Sequence, residues 1–288
     1  EIYTLSLHDA LPIYELMTNP DLISLLQYSF VQKAFLAGTF TALSCSILGL
    51  FLVLRKMSLV GDGLSHVSFG AIALGMLAGI YPVYFALPIV IIAAILILKI
   101  SEKTKVYGDA AIGIVSAAGV AGGVLLTSLS NGFNVNLLSY LFGNILAVNL
   151  QEILFSLGLS LLTLFVIYLF YWDLFSVTFD EEYAQVSGFP VNLINYLLVV
   201  LTAITVLLSI KVVGIMLVSA LLIIPAVTSL QLSRRFKTAL LISGLTSVLS
   251  VILGILVSLF FNFPSGATIV LINLIFFVLA IALKKARG

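Results

Sequence analysis

Long apolar segments alternate with short polar ones from about residue 30 almost to the end of the chain. A helix needs about 20 apolar residues to cross the hydrocarbon core of a bilayer, and nine segments approach or reach that length. The pattern predicts an all-α, polytopic membrane protein with one transmembrane domain over residues 17–288. The predicted spans are 30–54, 58–80, 83–100, 110–129, 151–171, 191–210, 212–232, 238–261 and 266–284.

The basic residues predict the orientation of these spans. With nine spans and the C-terminus inside, eleven of the thirteen Lys and Arg residues lie in cytoplasmic segments, as the positive-inside rule expects. Lys33 and Lys211 remain outside, and Lys211 then occupies a tight turn between the sixth and seventh spans. If that turn were a break in one kinked segment, there would be eight spans and the first half would be inverted. We prefer nine spans, with eight as the alternative.

Composition excludes an ordinary soluble domain. The chain is 62% hydrophobic and 9% charged, whereas soluble domains carry about 25% charged residues. The single cysteine, Cys45, excludes an intrachain disulfide and is expected to be a small buried residue. Residues 1–16 have the features of neither a signal peptide nor a membrane helix, so we expect a non-native leader there. His66 is the one histidine beyond that leader.

Asp62 and His66 lie four residues apart near the start of the second span. Residues with this spacing share one helix face, and ionisable groups at membrane depth need a partner or a function. A carboxylate oxygen and an imidazole nitrogen on adjacent turns can hold one divalent ion, and both ligand types suit zinc or manganese. Gly70 continues the same face and is expected to leave open space above the imidazole.

Two other interpretations of the pair stay open on spacing alone. Asp62 could cap the helix by accepting backbone amides, with His66 hydrogen-bonded to it or to a nearby carbonyl. The pair could also relay protons in a secondary transporter. Elsewhere, Pro225 is expected to kink the seventh span and act as a hinge, and the small residues of 113–123 favour close helix packing or line a pathway.

The segment FDEEYAQVSGFPV (179–191) falls on the predicted cytoplasmic side. Asp180, Glu181 and Glu182, followed by Gly188, predict a short polar helix that ends at the glycine before the sixth span, because acidic side chains favour a helix N-terminus and glycine a C-terminus. An ordinary solvated loop with a helical turn is the alternative to a special role for this segment. The sequence contains no phosphate-binding loop, no hydrolase or protease motif and no basic patch for nucleic acid. If the protein moves a substrate uphill with ATP, another chain must hydrolyse the ATP, and an intramembrane enzyme is the least favoured class because no acid, base and nucleophile are arranged together.

Four stretches of the chain form a recognisable set in their order and spacing: LRKMSLVGDGLSHVSFGAIALG (54–75), NLLSYLFGNILAV (136–148), FDEEYAQVSGFPV (179–191) and VVGIMLVSALLIIPAVTSLQL (212–232). In these stretches the chain resembles the zinc and manganese permease family of bacterial ABC importers. The resemblance implies a type II ABC importer-like fold and a homodimeric subunit of a bacterial cell membrane. It also implies cytoplasmic ATP-binding subunits that hydrolyse ATP, an extracytoplasmic metal-binding protein, and Zn²⁺ or Mn²⁺ as cargo with no permanently bound cofactor.

The resemblance also assigns roles to residues. It makes Asp62 and His66 the metal-coordinating pair of the translocation path. It implies that the short acidic segment docks on the ATPase, through Asp180, Glu181, Glu182, Tyr183, Ala184 and Gly188. Some relatives carry an acidic residue where this chain has Asn136 or Asn144, so we do not expect these positions to bind metal. A proton-coupled metal carrier and a type II ABC permease for another substrate are the alternatives.

Overall fold

The computed structural model describes residues 28–104, 108–129, 140–141, 143 and 150–287. Within these ranges the chain folds into eleven α helices and one short 3-10 turn. The helices are α1 (Ser29–Leu54), α2 (Leu59–Leu77), α3 (Pro82–Thr104), α4 (Gly108–Leu129), α5 (Leu150–Leu169), α6 (Tyr171–Phe179), α7 (Glu181–Val186), α8 (Val191–Val213), α9 (Val218–Leu232), α10 (Phe236–Phe261) and α11 (Ser265–Arg287). The prediction of an all-α protein is confirmed.

Seven of these helices are long and apolar enough to cross a membrane. They are α1, α2, α3, α4, α8, α10 and α11. Helices α5 and α6 would form an eighth span together, although the chain bends by 69° between them. Helix α9 has 15 residues and is shorter than the roughly 20 residues that a full crossing needs. Each of the nine predicted spans contains a helix, but the described residues hold only seven candidate spans, or eight with the bent pair, because the seventh predicted span contains only the short α9.

The connection between α8 and α9 differs from the predicted tight turn at Lys211. Helix α8 continues through Lys211 to Val213, and the break falls at Gly214, whose φ of +88° is a conformation that glycine adopts without strain. A 3-10 turn (Ile215–Leu217) then leads into α9. The predicted start of the seventh span at residue 212 was therefore wrong, because residues 212–213 complete the preceding helix.

This break lies inside the helix bundle. Before the break, the hydroxyl of Ser209 lies 2.8 Å from the thiol of Cys45 on α1. After it, the backbone of Leu222 lies directly against Gly49 of α1, where an added Cβ would overlap the Leu222 carbonyl oxygen. Both contacts fall on the second half of α1. The end of α8 and the first half of α9 therefore pack against the same part of that helix. Helix α9 therefore begins in the protein interior, where Val218 is fully buried.

One end of the bundle, here called the basic end, is formed by the C-termini of α1, α9 and α11, the N-terminus of α10, and α6 with α7. Lys284 donates to Gln231 across 2.9 Å, and the ammonium of Lys237 lies 5.6 Å from the centre of the Trp172 ring. Trp172 is 64% exposed, as aromatic residues at a membrane interface commonly are. The predicted cytoplasmic segments at 55–56, 178–190, 234–237 and 284–287 thus meet at one end. Helix α6 itself was not predicted.

Candidate functional site

Helix α2 carries Asp62 and His66 on one face, as predicted. The helix begins at Leu59 after the N-cap residue Ser58, so Asp62 lies inside the helix and does not occupy the capping position. The capping interpretation is therefore wrong.

The spacing of the two side chains suits a bound ion better than a direct hydrogen bond. His66 Nε2 lies 3.7 Å from Asp62 Oδ2, which is beyond hydrogen-bonding distance. Two ligand atoms that each lie about 2.1 Å from one ion, at a tetrahedral angle, are separated by about 3.4 Å. The side chains are 29% exposed for His66 and 49% exposed for Asp62, so an ion can reach both. Small rotations of the two side chains would bring Nε2 and Oδ2 to the separation at which both can bind one ion.

The other carboxylate oxygen of Asp62 is bound by a different helix. Ser219, in the first turn of α9, donates its hydroxyl to Asp62 Oδ1 across 2.9 Å. Sequence analysis missed Ser219, because 157 residues separate it from Asp62 and no local pattern joins them. The one indication in the sequence was that Ser219 lies in the stretch 212–232, which is one of the four that carry the family resemblance.

Gly70 does not leave open space above the imidazole, and that prediction was wrong. A Cβ added at Gly70 would lie 2.5 Å from the carbonyl oxygen of Gly119 on α4, and one added at Gly119 would lie 2.6 Å from the Cα of Val67. The glycines instead let the backbones of α2 and α4 touch, which is how small residues commonly serve membrane helix pairs. The packing interpretation of residues 113–123 is thus correct at Gly119, whereas a Cβ added at Gly113 would meet no other part of the described structure within 4 Å.

Pro225 lies within α9, and the helix continues on both sides of it. Because proline has no amide hydrogen, the carbonyl of Leu221 loses its usual helical partner there. Pro225 is buried. Its role as a hinge stays a prediction.

The acidic segment forms the predicted short helix. Asp180 caps α7 by accepting the Tyr183 amide at 2.8 Å, and Gly188, at φ +86°, follows its end. The amide of Gly188 donates to Gln185 and that of Phe189 to Ala184, a glycine-terminated pattern common at helix C-termini. Ala184 is buried while Tyr183 is 68% exposed. The helix therefore presents Tyr183 outward and rests on Ala184.

Glu181 joins α7 to two long helices. Its Oε2 lies 3.1 Å from the guanidinium of Arg55 at the end of α1, and its Oε1 accepts from the side-chain amide of Asn195 on α8 at 3.1 Å. Arg55 is only 8% exposed. Burial lowers the pKa of the guanidinium, and the charge and hydrogen bond of Glu181 oppose that shift. Glu181 therefore anchors α7 within the protein, and Glu182 is the acidic side chain of the pair without such an anchor in this structure.

A pocket of about 380 Å³ opens at the basic end near the pair. It is bounded by the ends of α1 and α3, the starts of α2, α4 and α8, and α7. The lining includes Val60, two residues before Asp62, and Ile112, whose side chain packs on Gly63. Polar and charged groups complete the wall: Arg55, Lys56, Asp109, Glu181, Asn192 and Asn195.

The described part of the chain places no third ligand of the usual kind beside Asp62 and His66. Among the residues that the structure describes, no three His, Cys, Asp or Glu side chains come together in a way that could hold a metal. Asn136 and Asn144 lie outside the described residues. Structural zinc sites usually close with four protein ligands, so a pair of ligands alone would suit an ion that is passed on.

The fold is that of a polytopic helical membrane protein, with a carboxylate and an imidazole close together on one face of α2. The model of the ABC 3 transport family matches residues 27–284. The chain belongs to this family. The resemblance noted in the sequence is thereby confirmed, and the protein is a membrane permease, not an enzyme.

Individual relatives cover nearly the whole chain. The "Manganese transport system membrane protein MntC" of Halalkalibacterium halodurans is 36% identical, over 92% of this chain and 90% of its own. The "High-affinity zinc uptake system membrane protein ZnuB" of Haemophilus influenzae is 32% identical, over 90% and 99%. The solved structure of PsaBC from Streptococcus pneumoniae in complex with Fab contains a chain that superposes with a TM-score of 0.82, at 31% identity, over 93% of this chain and 95% of that one.

Proposed function

We propose that this chain is the permease subunit of an ATP-driven importer of divalent transition metal ions, zinc or manganese, in a bacterial cell membrane. The observation that carries the proposal is the 3.7 Å gap between His66 Nε2 and Asp62 Oδ2 on an accessible face of α2. Relatives named for manganese and for zinc lend it support. Membership of an ABC family favours this proposal over a proton-coupled carrier.

The ion enters from an extracytoplasmic binding protein, pauses between Asp62 and His66, and leaves through the pocket at the basic end. Oxygen and imidazole ligands bind zinc and manganese without the stronger hold of thiolates, so release is fast. Both ligands act in their deprotonated forms, and acid therefore opposes binding.

ATP hydrolysis takes place on separate cytoplasmic subunits, and the permease works as a homodimer. The partners dock on α7 through its outward side, where Tyr183 and Val186 are 68% and 89% exposed. The anchor from Glu181 to Arg55 carries their movement to α1 and to the start of α2. Binding and closure of the ATPase then shift the bundle between two arrangements, as two-state transporters require.

The experiment that tests the proposal measures uptake of labelled Zn²⁺ and Mn²⁺ in cells that carry the complete transport system. His66→Ala and Asp62→Asn should each lower uptake to background while the protein stays in the membrane at normal levels. Ser68→Ala is the matched control, because Ser68 lies on the same helix and bonds the carbonyl of Leu64 in its own helix. Normal uptake by either pair variant would refute the ligand role.

A further inference from the structure

Ser219 comes from a different helix than Asp62 and His66, yet it bonds one of them. Its hydroxyl donates to Asp62 Oδ1 at 2.9 Å. Other hydroxyls of these helices serve their own backbone: Ser65 donates to the carbonyl of Asp62 and Thr228 to that of Ile224. The bond of Ser219 instead crosses from α9 to α2. It is charge-assisted when Asp62 is ionised, and such bonds are stronger than those between neutral groups.

This bond decides how the carboxylate of Asp62 is turned. The terminal torsion of an aspartate is broad and has roughly two-fold symmetry, so a free carboxylate would sample many orientations. With Oδ1 held by Ser219, Oδ2 is the oxygen that faces His66 Nε2. The bond from Ser219 thus leaves Oδ2 in the position needed to share an ion with His66.

Glycines on two helices allow Ser219 to come this close. A Cβ added at Gly61, next to Asp62, would lie 2.6 Å from Cδ1 of Leu222, one turn after Ser219. Gly49 of α1 lies against the backbone of Leu222. A Cβ added at Gly49 would overlap the Leu222 carbonyl oxygen. The first turn of α9 is therefore seated between α1 and α2 at the level of Asp62, and it follows the backbone break at Gly214.

We propose that Ser219 is a positioning residue of the metal site, which holds Asp62 so that one oxygen stays free for the ion beside His66. The inference rests on the proposed function. The proposal makes the first turn of α9 part of the metal site, because its movement would break the hydrogen bond from Ser219 to Asp62. An ion held through Oδ2 leaves the Ser219 bond intact.

The test compares Ser219→Ala, Ser219→Thr and Ser229→Ala in cells with the complete transport system, with uptake measured over a range of Mn²⁺ and Zn²⁺ concentrations. Ser229→Ala is the matched control, since Ser229 also lies on α9 but donates to the carbonyl of Ala226. Loss of a hydrogen bond to a charged group should raise the KM of Ser219→Ala about tenfold. The maximal rate should stay within twofold of wild type, and Ser219→Thr, which keeps the hydroxyl, should restore most of the affinity.

Binding to the purified protein gives a second readout, as the rise in melting temperature that Mn²⁺ produces. Ser219→Ala should shrink this rise, and it should have no further effect in a protein that already carries Asp62→Ala. A lower maximal rate with unchanged KM would mean that Ser219 only supports the fold, which overturns the inference. Wild-type KM in Ser219→Ala would overturn it too, while uptake that still depends on Asp62 would leave the proposed function standing. Normal uptake by Asp62→Ala would refute both.

Discussion

Gly119 offers a sharp test of how closely α2 must lie against α4. In Gly119→Ala the new Cβ would meet the Val67 Cα at 2.6 Å, the Val67 amide nitrogen at 2.8 Å and the His66 carbonyl oxygen at 2.9 Å. All three are backbone atoms, so no side chain can rotate away. Ordinary contact begins at 3.4 Å, and the two helices must therefore separate by about 0.8 Å. Overpacking of this kind typically costs about 1–3 kcal/mol, more than the roughly 1 kcal/mol that alanine gains over glycine in a helix.

Gly113→Ala is the matched control, because it makes the same change on the same helix at a position with nothing within 4 Å. We expect Gly113→Ala to keep or slightly raise the melting temperature of the detergent-purified protein. Gly119→Ala should lower that temperature and also reduce metal uptake, since the shift reaches the backbone of His66 directly. Equal melting temperatures and equal uptake for the two variants would refute the close approach of α2 and α4.

Two further predictions concern other contacts. Glu181→Gln should destabilise the protein by only about 1 kcal/mol, because the Glu181 side chain is half-exposed. It should also weaken the coupling between ATPase activity and uptake more than Glu182→Gln does. Thermal unfolding and ATP consumed per ion measure this, and identical behaviour of the two variants would contradict the anchor. Cys45 is fully buried, so a maleimide should label it only after unfolding; rapid labelling of the folded protein would show that the contact between α1 and α8 is wrong.

Much of the fold was accessible from the sequence because membrane helices must be long and apolar. Hydrophobic length located the long helices of the described part of the chain, and the acidic residues with Gly188 indicated a short helix where α7 lies. The break at Gly214 was misplaced because the apolar run continues through it, so hydropathy carries no mark of where the backbone turns. Helix α6 was missed for a related reason, since its aromatic residues read equally well as the end of a span.

The site was predictable only in part. The four-residue spacing of Asp62 and His66 fixes a shared face, because it is a property of one helix. Ser219 and the contact of Gly70 with Gly119 depend on how separate helices meet, which no local pattern encodes. The same holds for Glu181, whose acidic character suggested docking on a partner. Its actual bonds to Arg55 and Asn195 required the three-dimensional arrangement.

The bonds of Glu181 to Arg55 and Asn195 link α7 to the ends of α1 and α8. Four residues separate the end of α1 from the start of α2, and such a short link has little slack to absorb a displacement. If partner subunits dock on α7 as proposed, a displacement of α7 is expected to move the ends of α1 and α8 and, through the short link, the start of α2. Asp62 lies in the first turn of α2, so the displacement is expected to reach its carboxylate.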